Sequence, residues 1–299
     1  RGLGDVYKRQ VATRVIVERE RERMAFIAAE YWDLVASLAH SSEEFDAKLV
    51  SLDGKRIAQG RDFNDRGELV SDAVVVDKQK AHSLVDDLGT APMHVTAVEE
   101  KPYTRKPYAP FMTSTLQQEA GRKLHFTSAR TMRIAQRLYE NGHITYMRTD
   151  STSLSKQGLD AARAAARELY GADYVSAKPR VYDRKVKNSQ EAHEAIRPAG
   201  ERFATPGQLA GALDAEEFKL YELIWQRTVA SQMEDARGNS TKITIAADAA
   251  GEACEFTATG RTVTFPGWLR AYADRQSNEP RLPQLAKGDE LTTKSVTAD

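Results

Sequence analysis

Apolar and polar positions along the chain follow two different periods, and the switch between them predicts its organisation. Residues 11–29 place Val11, Val15, Ile16, Met24 and Ile27 among Arg14, Glu18, Arg19, Glu20, Arg21, Glu22 and Arg23. That spacing predicts a helix whose solvated face carries close opposite charges. From Tyr31 to Val98 the pattern shortens to strand-like runs, among them Tyr31–Val35, Phe45–Val50 and Met93–Val98. Asp53-Gly54 supplies a hairpin turn between the first of them. A connector punctuated by Pro102, Pro107 and Pro110 follows.

Residues 111–236 return to the helical period. Helices are predicted over Ser114–Leu124, from a Thr127-Ser128 cap to Asn141-Gly142, and through Leu159–Tyr170. Further helices are predicted near Ser189–Ile196, Thr205–Leu213 and Glu216–Met233. A short extended piece, 143–149, interrupts the series. Strands resume at Thr241–Ile245, Cys254–Ala258 and Arg261–Phe265, the last two read as joined at Thr259-Gly260. Asp248-Ala249-Ala250-Gly251-Glu252 reads as a hairpin turn. The fold class is therefore α+β: a β-rich domain interrupted by an inserted, mostly helical one.

Composition adds exclusions more than assignments. Hydrophobic residues make up 41% of the chain and charged residues 29%, an ordinary globular balance. No apolar run approaches the ~18 residues of a membrane span. Cys254 is the one cysteine, which leaves no internal disulfide and no Cys-based zinc site, and suits a reducing cytoplasm. No phosphate-binding glycine loop and no Asp-x-Asp pair for Mg²⁺ occurs. The chain opens Arg1-Gly2-Leu3-Gly4, and Asp5–Gln10 matches one reading frame of a sequencing-library transposon end. Residues 1–10 are thus read as a non-native scar, and the chain as a fragment.

Net charge is zero, but its distribution is uneven. Between Lys101 and Arg148 the basic side chains are opposed only by Glu119 and Glu140. Arg130, Arg133 and Arg137 fall at i, i+3 and i+7, one helix face suited to phosphates. In the extended piece, Ile144, Tyr146, Arg148 and Asp150 are expected on one side and Thr145, Met147 and Thr149 on the other. A phenol is a weak nucleophile at neutral pH, and a guanidinium two residues away could both stabilise the phenolate and grip a phosphate. A tyrosine on a strand is more often a half-buried packing residue, and spacing alone favours that reading. In Gln190–Pro198, His193 and Arg197 are four apart on the expected helix; Arg197 stands where a zinc-protease motif needs a second His, so no metal is assigned.

Four blocks together resemble the bacterial type IA DNA topoisomerase family: Pro110–Ala120, Thr131–Glu140, Ile144–Ser155 and Gln190–Pro198, in that order. The resemblance extends over residues 11–299. It implies that Tyr146 attacks a phosphodiester of single-stranded DNA and becomes joined to the 5′ phosphate. The strand is then resealed, negative supercoils relax, and no ATP is used. It implies that Arg148 contacts the scissile phosphate and His193 contacts DNA or handles a proton, with Asp150 and Arg197 in supporting roles. Arg130, Arg133, Arg137, Arg148 and His193 would bind the DNA. The implied protein is a monomeric cytoplasmic enzyme of the nucleoid, needing Mg²⁺ whose ligands lie in a domain not found here. The implied division is a scaffold helix over 11–29, an arch in two parts (30–108 and 237–299), and a winged-helix-like domain over 109–236 that carries the tyrosine. With so much of the pocket missing, the chain alone is expected to be inactive. The competing readings are a non-catalytic winged-helix-like DNA-binding module and an interaction domain with a structural tyrosine.

Overall fold

The computed structural model describes residues 3–182, 194–272 and 282–299. It is an α+β structure dividing into two units. In chain order the elements are α1 (Leu3–Ala25), β1 (Leu34–His40), β2 (Glu43–Leu52), β3 (Lys55–Arg56), α2 (Lys78–Leu88) and β4 (Met93–Arg105). Then come α3 (Thr113–Leu124), α4 (Ser128–Glu140), α5 (Lys156–Tyr170), α6 (Pro206–Leu209) and α7 (Ala215–Ala230). β5 (Ala236–Ala249), β6 (Glu252–Phe265) and β7 (Glu290–Ala298) complete the order. The first unit takes Arg1–Lys101, Ser240–Thr262 and Glu279–Asp299; the second takes Pro102–Asn239 and Val263–Asn278.

The first unit is built on a sheet ordered β1-β7-β4-β5-β6-β2-β3, and β1 also pairs with β2, closing six strands into a ring. The pairings of β1 with β2 and β7, of β2 with β3 and β6, and of β4 with β7 are antiparallel. Closure removes sheet edges that would otherwise be open to aggregation. Alternate residues fill the interior: Phe45, Ala47 and Leu49 from β2, Ile243 and Ile245 from β5, Cys254, Phe256 and Ala258 from β6. A register shift between Leu49 and Ser51 turns Leu52 inward in place of Ser51. Asp53 (φ 46°) and Gly54 (φ 75°) both adopt the left-handed region that a two-residue hairpin demands.

Several expectations are corrected here. The first helix ends at Ala25, not residue 29, because the Ile27 N–H is taken by the Asp65 carbonyl at 2.9 Å. The stretch before Val98 holds a helix, α2, capped by Asp77 and burying Ala81, Leu84 and Leu88. The proline connector begins as β4, which runs through Pro102 to Arg105. Thr259-Gly260 is no turn, since β6 continues through it and Gly260 is not among the positive-φ glycines. The helix expected over Thr205–Leu213 is α only at Pro206–Leu209.

The second unit is a helical cluster around α7, whose Leu220, Ile224 and Val229 are almost fully buried. Leu116 and Ala120 of α3, Ile134, Ala135 and Leu138 of α4, and Ala161, Ala162 and Ala166 of α5 pack into the same core. Thr127 caps α4, its hydroxyl oxygen accepting from the Arg130 N–H at 3.2 Å. Asp214 caps α7 in a reciprocal box with Glu217.

Candidate active site

The segment after α4 is short and irregular, yet it is fastened on both sides. Thr145 donates its N–H to the Arg197 carbonyl (2.9 Å) and its hydroxyl to the Ala195 carbonyl (2.8 Å), while Ala199 N–H reaches the His143 carbonyl (2.9 Å). Two residues on, Thr113 at the start of α3 donates its hydroxyl to the Met147 carbonyl (2.8 Å) and accepts from the Thr149 N–H (2.9 Å). The Thr113 N–H donates to the Thr149 carbonyl at 2.9 Å. Phe111, just before α3, itself pairs with Ile196. Three stretches distant in sequence thus hold residues 144–149 as one cross-braced strip.

On that strip Met147 and Thr149 are buried, and Tyr146, Arg148 and Asp150 are exposed. The alternation expected from spacing holds from 146 to 150. It fails at Ile144, which is only 2% exposed, because its backbone pairs with Pro198 and turns the side chain into the core. Tyr146 keeps 47% of its surface exposed. Its ring meets the Tyr139 ring of α4 edge to face, centroids 5.3 Å apart at 69°. Among the described residues, no ion pair ties up Arg148 or Asp150.

Arg197 has a different place. Its guanidinium is buried, bonded twice to Glu194 (2.6 and 3.1 Å) and to the Pro198 and Gly200 carbonyls (2.8 and 3.2 Å). Glu194 also accepts from the backbone and hydroxyl of Ser155, the cap of α5, at 2.9 and 2.7 Å. Every Arg197 nitrogen has a partner inside the protein, so its support is given to the backbone carrying Thr145. Residues 194–198 form no helix: Ile196 and Pro198 make bridges, which withdraws the expected helical pairing of Arg197 with His193. His193 itself lies outside the described residues, as does most of the helix expected at Ser189–Ile196.

The basic face of α4 is also less open than its sequence neighbourhood suggests. Arg130 is ion-paired with Glu216, and Arg137 with Asp214 (2.9 Å) and Glu217 (3.0 Å). The acids come from the first turn of α7, about 80 residues away in sequence. Arg133 is exposed, and among the described residues no ion pair engages it.

Two carboxylates brace this unit. Burial alone would raise the Glu119 pKa, but hydrogen bonds from Arg122 (2.7 Å) and Lys123 (2.8 Å) hold it down at about 2. Burial likewise opposes the charge of Glu194, and bonds from Arg197 and Ser155 outweigh it and lower its pKa. Lowered carboxylate pKa values stabilise the fold above the ordinary value of 4.5 and lose that contribution as pH falls toward 2. We therefore expect the urea midpoint to fall between pH 4.5 and 2, with a shallower slope in Glu119→Gln. Equal slopes in the two proteins would remove Glu119 from the account.

Among the described residues, no group of three or more His, Cys, Asp or Glu is placed to hold a metal ion, and no helix is long and apolar enough to cross a membrane. The side chains that spacing did not single out are Thr113, Ser155 and Glu194. Only Ser155, a capping residue ahead of an apolar-periodic run, carried a local signal.

The family model described as DNA topoisomerase matches residues 9–299. The chain belongs to this family. It is 56% identical to DNA topoisomerase 1 of Mycolicibacterium smegmatis over 308 residues, covering 97% of the chain and 33% of that protein. It is 53% identical to DNA topoisomerase 1 of Streptomyces coelicolor, with 97% and 32% covered. Among solved structures, full-length topoisomerase I from Thermotoga maritima matches with a TM-score of 0.71 and 27% identity, over 96% of this chain and 43% of that one. The chain spans about a third of the length of the curated relatives it matches.

Proposed function

We propose that this chain carries the DNA-cleaving tyrosine of a type IA topoisomerase, with Tyr146 as nucleophile and Arg148 as its phosphate contact. One observation carries the reading: an exposed tyrosine and arginine, two residues apart, stand on a strip whose intervening residues are buried and braced. Such a strip presents reactive groups with little reorganisation. The Tyr146 oxygen attacks the phosphorus of one strand, loses its proton, and forms a P–O bond as the P–O3′ bond breaks. The departing 3′ oxygen takes up a proton. Arg148 offers two parallel N–H donors to the non-bridging oxygens, where charge develops. Because the phosphotyrosine ester replaces one phosphoester by another, the 3′ hydroxyl can attack back and reseal the strand without ATP. Between these steps another strand passes, and negative supercoils relax. Mg²⁺ has no ligand set among the described residues, and no step assigned to this chain runs through it.

In this reading residues 30–108 and 237–299 form the two parts of the arch, and 109–236 the tyrosine domain. Asp150 and His193 serve the phosphate region, and Arg197 supports it from within. The chain alone is expected to be inactive. The test is a chimera in which residues 11–299 replace the matching segment of the Mycolicibacterium smegmatis relative. With single-stranded DNA and Mg²⁺, denaturation is expected to trap a covalent adduct that retains a 3′-end label. An adduct retaining only the 5′ end would refute the assigned polarity.

A purely electrostatic module built on the α4 face is disfavoured by the ion pairs of Arg130 and Arg137. Arg133 is the member of that face left to meet phosphate. Arg133→Ala is expected to reduce the salt dependence of single-strand binding by about 0.7 in log–log slope, one phosphate contact, with a smaller change for Arg130→Ala. Fluorescence anisotropy across a KCl series measures both, and equal slopes for the two variants would reject this division.

A further inference from the structure

Beside the strip, within the helical unit, lies an open cavity of about 370 Å³ that the cleavage chemistry does not use. That volume falls in the range of small-ligand sites, about 300–1,000 Å³. Its walls include Tyr108, Pro110, Met112, Thr152, Tyr182 and Arg227. Tyr108 keeps 56% of its surface exposed although it touches Trp268 edge to face at 5.4 Å. Arg227 lies over both the Tyr108 ring (4.9 Å) and the Phe111 ring (4.3 Å). Its Nε–H is buried and has no hydrogen-bond partner among the described residues.

The threonine hydroxyls of the wall and that of Tyr182 are committed as donors, Thr115 to the Met112 carbonyl at 3.1 Å. Thr152 donates to the Tyr182 carbonyl (2.7 Å) and Tyr182 to the Ser231 carbonyl (2.9 Å). What remains is aromatic and apolar wall, the Tyr108 hydroxyl and an N–H unmatched among the described residues, the chemistry of a planar heterocycle with an acceptor on its rim. The surroundings favour an anionic chain as its carrier. Arg122, Lys123 and Arg227 converge on the Glu119 carboxylate, at 2.7, 2.8 and 3.8 Å.

The cavity is also tied to the strip. Thr152 follows Tyr146 by six residues, a reach of at most about 22 Å. Met112 immediately precedes Thr113, whose hydroxyl is 2.8 Å from the Met147 carbonyl. We propose that this cavity receives one unstacked nucleobase of the single strand whose phosphate engages Tyr146 and Arg148. The inference rests on the proposed function and adds a base-binding subsite to it. Stacking on the aromatic wall holds the strand during cleavage.

The test compares binding of a thymidine 12-mer and an abasic 12-mer of equal charge to the 299-residue chain. Tyr108→Ala is expected to weaken the thymidine strand about tenfold and leave the abasic strand unchanged, with Tyr108→Phe restoring the difference. In a second measurement on the unaltered chain, irradiated strands carrying 5-iodouracil are expected to cross-link to Tyr108 or Tyr182. Equal losses for both strands, or cross-links confined to other residues, would overturn the subsite. If binding in those cases still falls with Arg148→Ala, the proposed function survives the loss of the subsite. Failure of both strands to bind at all would take down both.

Discussion

Tyr146→Phe, introduced into the chimera with the Mycolicibacterium smegmatis relative, is expected to reduce covalent trapping of single-stranded DNA to background. Non-covalent binding should stay within about twofold, since the change removes one oxygen from a half-exposed side chain whose ring contact with Tyr139 is kept. Phenylalanine keeps that edge contact, so the strip's geometry survives and only the attacking atom is lost. Arg148→Ala should retain the nucleophile but slow adduct formation by about a hundredfold, the usual loss for one donor aimed at developing charge. Arg148→Lys should recover part of it, because an ammonium supplies the charge without the paired N–H geometry. Trapping by the Tyr146→Phe protein at the unaltered rate would eliminate Tyr146 as nucleophile. Equal rates for Arg148→Ala and the parent would assign the phosphate contact elsewhere.

What could be read from the chain and what could not divides along range of interaction. The start of α4 was legible because Thr127 caps it from three residues away. The exposure of Tyr146, Arg148 and Asp150 was legible because an extended backbone alternates its side chains, a rule needing no distant partner. The inward turn of Ile144 was not, since it follows from pairing with Pro198, more than fifty residues on. Charge suffered the same way: Arg130 and Arg137 looked unopposed until α7 brought Glu216, Asp214 and Glu217 onto them. The miss at α2 is of another kind. Asp77 with Ala81, Leu84 and Leu88 already has a cap and a helical spacing, but it sits among strand-like runs that obscure it. As for Tyr146, the nucleophile role proposed for it came from family resemblance: alternation alone fits a packing tyrosine better.

The largest stability effect is expected where the strip is braced from within. Arg197→Ala removes a guanidinium with 5% side-chain exposure and leaves Glu194 without its bidentate partner. Breaking a buried pair on one side typically costs about 3–5 kcal/mol. For a domain of this size that corresponds to roughly 10 °C in the melting transition of the helical unit. Gly158 makes the cause separable from simple loss of charge. It sits in the first turn of α5, and helix propensity alone says that Gly158→Ala should stabilise by up to about 1 kcal/mol. A Cβ there would lie 2.7 Å from Arg197 Nε and 2.8 Å from Glu194 Oε1. Those atoms have little room to yield, being held by Ser155, Pro198 and Gly200. The packing argument therefore predicts destabilisation by Gly158→Ala, opposite in sign to propensity. The Arg197→Ala, Gly158→Ala double variant should be less destabilised than the sum of the two, because removing the guanidinium frees the space. Calorimetry of the four proteins decides. A stabilised Gly158→Ala protein, or strictly additive losses, would show that the Glu194–Arg197 pair does not fix the backbone that carries Thr145 and, through it, Tyr146.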